Sequence, residues 1–218
     1  FYLINNFMKR YVLGVSGSSG SGKSEILKKL SNKINSNLIS IISQDNYYKK
    51  RDSQSIDLNG FHNFDLPESI DKTKFYNDII KLISGNNVEY FEYNYNNPQL
   101  KSVKKKIISN QIIIVEGLFI FHYKKIDSLF NSRVFIDAEL NLMIKRRLDR
   151  DLNERGYDKN DVEYRYKNHV VPAFKKFTEP YKNESDLIIK NDKSIELSVS
   201  KLENFLMNDF NKYKSRFS

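Results

Sequence analysis

The chain has 218 residues, no cysteine, and a formal net charge of +9 from 36 Lys and Arg against 27 Asp and Glu. That length suits one α/β domain with a full core, and the lack of cysteine excludes disulfide frameworks and zinc–thiolate sites and fits a reducing, cytoplasmic setting. The positive balance points to an anionic partner, but the lysines are spread among acids, which argues against nucleic acid as the main partner; a nucleotide substrate accounts for a positive cleft.

Phe1 to Phe7 lack the order of a signal peptide, and Met8-Lys9-Arg10 looks like an internal start, so residues 1–8 are read as an appended or frayed segment and residues 9–218 as the domain. Tyr11 to Ser16 then reads as a short strand. It runs into Gly17-Ser18-Ser19-Gly20-Ser21-Gly22-Lys23-Ser24, which satisfies G-x-x-x-x-G-K-[ST] at every position. Small residues let successive N–H groups converge on phosphate oxygens, and the helix beginning at Lys23 adds its positive end. In such a loop Lys23 reaches the β- and γ-phosphates and the Ser24 hydroxyl holds Mg²⁺. Ile26, Leu27 and Leu30 share one face of the helix that follows.

Asn37 to Ser43 reads as a second buried strand, with Asp45 just past its C-terminal end, where open parallel sheets collect ligands. A carboxylate there is a candidate general base for an attacking hydroxyl; a helix N-cap or Asx-turn is the alternative use. Lys49 to Pro67 is polar, turn-rich and long enough to be functional, and it ends in two aromatics flanking Asn63 and Asp65. The spacing predicts a helix over Ser69 to Ser84, stopped by Gly85, then a hairpin from Val88 to Tyr95 and Val103 to Ile108. On it, Tyr93 and Tyr95 suit either base stacking or sheet packing, and Lys104-Lys105-Lys106 suits a solvated edge as well as a binding patch.

Ile112 to Gly117 is an apolar strand ending in Glu116, placed to neighbour the phosphate-loop strand and orient Mg²⁺ or water, or simply to end the strand; those two residues also keep the longest apolar block short of a membrane span. After a strand over Arg133 to Asp137, Leu140, Ile144, Leu148 and Leu152 recur every four residues and predict one buried helical stripe, with Arg146, Arg147, Arg150 and Asp151 on other faces. Arginine is concentrated here in a chain that prefers lysine, and its planar fork suits phosphate oxygens. The stretch from Arg146 to Tyr157, within a lid of about residues 146–160, therefore reads as closing over ATP, or else as a solvated helix with Arg147 and Asp151 paired. A helix over Asp161 to Lys176, a strand over Leu187 to Lys190 and a helix over Ser194 to Phe210 complete the chain; His62, His122 and His169 match no metal spacing. The expected fold is α/β: a P-loop NTPase three-layer sandwich, a mostly parallel sheet flanked by helices, with an added hairpin and an arginine-bearing lid.

The phosphate loop, Ser43-Gln44-Asp45, Asn63-Phe64-Asp65, Val115-Glu116-Gly117, Arg150-Asp151-Leu152-Asn153-Glu154-Arg155-Gly156 and Val171-Pro172-Ala173-Phe174, in this order, resemble the uridine kinase family from Lys9 to Lys190. The resemblance implies transfer of phosphate from ATP, or GTP, with Mg²⁺, to the 5′-hydroxyl of a pyrimidine ribonucleoside such as uridine or cytidine, and a homotetramer. It makes Asp45 the base and Tyr48 its neighbour, places Asp65 on the ribose hydroxyls and Arg147 on the nucleoside, and gives Glu116 to Mg²⁺ and Arg150 and Arg155 to ATP phosphates. Three positions depart from the family. No histidine follows Tyr93-Asn94-Tyr95, Arg165 replaces a glutamine in the nucleoside pocket, and Tyr157 replaces the second lid arginine. The rival readings are a phosphoribulokinase-like or other small-molecule kinase, and a nucleotide-binding switch without acceptor chemistry.

Overall fold

The computed structural model describes residues 10–35, 37–94, 102–153 and 158–217. In chain order they form β1 (Tyr11–Ser16), α1 (Lys23–Lys33), β2 (Ile39–Ser43), β3 (Ser55–Ile56), β4 (His62–Asn63), α2 (Lys72–Ile83), β5 (Val88–Phe91), β6 (Lys104–Ile107), β7 (Ile112–Glu116), α3 (Lys124–Asp127), β8 (Ser132–Asp137), α4 (Leu140–Asn153), α5 (Lys159–Arg165), α6 (Val171–Phe177), β9 (Leu187–Lys190) and α7 (Ile195–Ser215).

A parallel sheet of five strands runs in the order β2–β7–β1–β8–β9. β1 and β7 are covered on both faces, which is why their sequences are continuous apolar runs instead of alternating ones. Successive side chains still point to opposite faces. Tyr11, Leu13 and Val15 join Ile112 and Ile114 against Ile26 and Leu30 of α1 and Leu202 and Leu206 of α7. Val12, Ile113 and Val115 face Phe75, Ile79 and Leu82 of α2. Gly14 lies under two rings on that second face: a Cβ there would stand 2.7 Å from Phe121 and 2.8 Å from Phe130. Because the five strands run the same way, Ser16, Ser43, Glu116, Asp137 and Lys190 end at one edge, and the loops leaving that edge build the candidate site.

Several expected boundaries move for local reasons. Ile70 is buried but precedes α2, because Pro67–Ser69 forms a 3₁₀ turn and Asp71 is the N-cap, its carboxylate accepting from Lys74 N at 2.9 Å. The helix expected over Asp161 to Lys176 is α5 and α6 joined by a π turn at Tyr166–Val170. Pro172 has no N–H to give and its ring crowds the preceding turn; the wider turn closes instead through Val171 N–H on Tyr166 O. Within the long polar segment, β3 and β4 pair as a small antiparallel hairpin. β5 and β6 form the second hairpin, where Lys104 and Lys105 make exposed ion pairs with Glu89 and Glu92, both at 2.7 Å.

The buried stripe expected in α4 is not the buried one. Leu140 is 51 % exposed, and Met143 and Asp151 are the residues buried in this helix. The helix is turned by what it covers. It lies against the phosphate loop so closely that a Cβ on Gly20 would meet the Met143 carbonyl oxygen at 2.3 Å. That contact directs Arg146, Arg147 and Arg150 inward, where Asp151 and Asp65 compensate Arg147 and Arg150, and leaves Ile144, Leu148 and Leu152 half-buried. Among the described residues, no helix is long and apolar enough to cross a membrane.

Candidate active site

The loop leaving β1 is shaped by backbone conformations that only glycine adopts without strain, with φ of +83° at Gly20 and +93° at Gly22. It is also braced from outside. Asn191, just beyond β9, donates from Nδ2 to Ser21 O at 2.9 Å and accepts from the Ser198 hydroxyl at 3.0 Å, so the far strand and α7 hold the loop in place. The Lys23 ammonium is buried and donates to Gly17 O at 2.8 Å and Ser18 O at 3.2 Å. Burial lowers its pKa, against the opposing pull of Glu116 and Asp45. Ser24, exposed at the first turn of α1, lines the same cavity.

Two acids from neighbouring strand ends stand beside that lysine. Glu116 ends β7 at 6 % exposure and accepts a hydrogen bond from the Ser43 hydroxyl. Burial, and then the charge of Asp45, push its carboxyl up to about 7. Capping of the turn after β2 falls to Ser43, whose hydroxyl accepts from Asp45 N at 3.3 Å, and the Asp45 side chain lines the cavity. Gln44 turns the other way and accepts from Phe119 N at 3.0 Å; a Cβ on Gly117 would sit 2.1 Å from its Oε1, so the exit from β7 requires glycine. A buried carboxylate beside a second acid and the Ser24 hydroxyl is a donor set that suits a hard divalent cation sharing phosphate oxygens.

The arginines of α4 span the cavity. Arg147 donates to Asp65 at 3.3 Å and Asp151 at 3.2 Å; burial alone would lower its pKa, but the two carboxylates raise it and keep it charged. Arg150 donates to Asp151 at 3.0 Å and reaches the Ser19 hydroxyl of the phosphate loop at 3.4 Å. Arg146 donates to Asn191 O at 3.1 Å, and its buried Nη1 has no hydrogen-bond partner among the described residues.

The far side of the cavity is aromatic and acidic. Asp65 is 7 % exposed. The Tyr48 ring lies 5.2 Å from Tyr93 and 6.1 Å from Phe64. Arg165 donates to Asp161 at 2.9 Å and to His62 O at 2.6 Å. The whole cavity, about 400 Å³, thus joins Ser18, Ser19, Gly20 and residues 22–24 with Asp45, Tyr48, Asp65, Tyr93, Glu116, Arg147, Arg150 and Arg165. Tyr95, Arg155 and Tyr157 lie outside the described residues. Sequence reasoning missed Asn191 as part of the site; it directly follows β9 at the ligand-bearing edge, which was the available signal.

A family model for the phosphoribulokinase / uridine kinase family matches residues 12–198. The chain belongs to this family. Its relatives include a protein named uridine kinase from Clostridium botulinum (strain Okra / Type B1), 33 % identical over 204 residues that cover 91 % of this chain and 99 % of the relative. Another uridine kinase, from Borrelia duttonii (strain Ly), is 34 % identical over 209 residues, 93 % of this chain and 98 % of its own. The fold matches the solved structure of a candidate fructose transport system kinase from Silicibacter sp. TM1040 with a TM-score of 0.64, at 16 % identity over 86 % of this chain and 93 % of that one. The family member described here is therefore a kinase of the P-loop type, with a parallel sheet flanked by helices and its glycine-rich loop at the sheet's C-terminal edge.

Proposed function

We propose that this kinase transfers the γ-phosphoryl group of ATP to the 5′-hydroxyl of uridine, and also of cytidine. The observation that carries the acceptor is similarity over nearly the full chain to proteins named uridine kinase. The cavity supports it, because one continuous space runs from the phosphate loop to Asp65, Tyr48 and Tyr93.

In this reading the backbone of Gly17 to Ser24 cradles the phosphates. Lys23, Arg150 and Arg155 stabilise charge on the transferring group. Ser24 and Glu116 would hold Mg²⁺, which neutralises charge on the β- and γ-phosphates. Asp65 accepts from the ribose hydroxyls, Tyr48, Tyr93 and Tyr95 flank the nucleoside, and Arg147 and Arg165 fix its edge. The 5′-oxygen bonds to the γ-phosphorus while the bond to the β,γ-bridging oxygen breaks. ADP leaves with that electron pair, and the hydroxyl proton passes to Asp45.

The test is ATP consumption with product mass on uridine, cytidine, adenosine, guanosine and base-free sugar phosphates. UMP and CMP are the expected products, and turnover confined to a base-free acceptor overturns the reading. Asp45→Asn should keep ATP binding and lower kcat by about 10²–10⁴. Near-normal turnover removes Asp45 from the role of base.

A further inference from the structure

Behind the acceptor side of the cavity, the β3–β4 hairpin meets α5 and the π turn through a cluster that none of the roles above employs. Its centre is Asp57, in the loop of the hairpin. One carboxylate oxygen accepts the N–H groups of Asn59 and Phe61, both at 2.9 Å. The other accepts the Tyr164 hydroxyl at 2.8 Å and lies 2.7 Å from His169 Nε2. Burial opposes the charge, but these donors together hold the Asp57 carboxyl well below the ordinary carboxylate range. An ionised carboxylate only accepts, so His169 carries its hydrogen on Nε2. His169 is 3 % exposed, and its Nδ1 has no partner among the described residues.

The same two elements grip one another a second time. Tyr164 stacks on Phe61 at 4.4 Å, the Arg165 guanidinium lies 5.4 Å from the Phe61 ring centroid, and Arg165 donates to His62 O. From β4 the chain runs directly into the cavity: Asn63 accepts from Asp65 N at 2.9 Å and from the Ser69 hydroxyl at 3.1 Å. Arg165, itself part of the grip, and Asp65, a short step beyond His62, both line the acceptor side. A π turn re-aims the side chains it contains and recurs at functional sites, and here it contains His169.

We propose that Asp57 and His169 are a positioning pair that locks the β3–β4 hairpin onto the π turn and thereby sets the placement of Asp65 and Arg165 for acceptor binding, leaving the phosphate half unaffected. This rests on the reading of that side of the cavity as the acceptor site. His169→Ala is expected to raise the acceptor KM at least about fivefold, with kcat and the ATP KM within about twofold. His169→Gln, which can still present a donor, should recover part of that loss. The double variant with Asp57→Asn should be no worse than His169→Ala alone, because the two residues act as one unit.

Amide hydrogen exchange without any acceptor supplies a second readout. Residues 61–65 should exchange faster in His169→Ala while residues 17–24 are unchanged. Should that variant not fold, Tyr164→Phe, which removes one donor from the same carboxylate, is expected to show the same selective pattern more weakly. Equal rises in both KM values, or unchanged exchange at residues 61–65, overturn the proposal. A wild-type enzyme that phosphorylates no nucleoside would instead sink the uridine reading, and the exchange measurement would still decide the pair.

Discussion

The two ends of the cavity are built by different means. The end proposed for phosphate is made of strand termini, backbone and glycine, and is held by the sheet itself: β1 runs into the loop, β7 supplies Glu116, and Asn191 after β9 braces the loop. The end proposed for the acceptor is made of side chains from two hairpin segments and a bent helix, with Asp65, Tyr93 and Arg165 brought together from separate segments. A backbone cradle is fixed by the sheet that carries it, whereas side chains on loops can be exchanged without disturbing the core. The contrast teaches that Arg165, the departure from the family pattern that lies among the described residues, stands on the side built from exchangeable side chains.

Substitutions should separate the two ends. The largest effect is expected for Lys23→Ala, which removes a buried cation from the transferring phosphates: kcat should fall by about 10²–10³ or more, with acceptor affinity measured by product inhibition little changed. A comparable loss in acceptor affinity would mean the two ends are not separable. Asp65→Asn should do the reverse. Losing a charged hydrogen bond of about 1.5–3 kcal/mol predicts an acceptor KM raised tenfold to a hundredfold, read from initial rates at saturating ATP. The KM for ATP should hold, and a rise there would break the comparison.

The smallest expected effect concerns pH. Asp57 has a depressed carboxyl in the folded chain, so its contribution to stability is present above its unfolded pKa of about 3.9 and is lost as pH falls through the lower folded value. Thermal midpoints of wild type and Asp57→Asn should therefore differ by a constant amount from pH 7 to 5 and converge below pH 4. A difference that shrinks already between pH 7 and 5 would show that another group dominates.

Local patterns were legible where one stretch of chain makes its own structure. The phosphate loop, the strands at Ile39–Ser43, Ile112–Glu116 and Leu187–Lys190, and the β5–β6 hairpin all stand where apolar pattern and turn residues placed them. Helix α4 was misread because its spacing names an apolar face, while its burial is decided by the phosphate loop it covers and by the acids that neutralise its arginines. The π turn was equally hidden: Pro172 announces a disturbance, but not that the chain absorbs it by widening a turn instead of ending the helix.

By itself the sequence determined the family, the alternation of strands and helices, and the place of the phosphate-loop motif between β1 and α1, because these depend on motifs and periodicities contained within short segments. Only the tertiary structure decided that Asn191 braces the phosphate loop, that Arg147 reaches Asp65, and that Asp57 meets His169. Each of these joins residues whose meeting is set by the order of strands in the sheet and the angle at which a helix crosses it, and no local pattern encodes either.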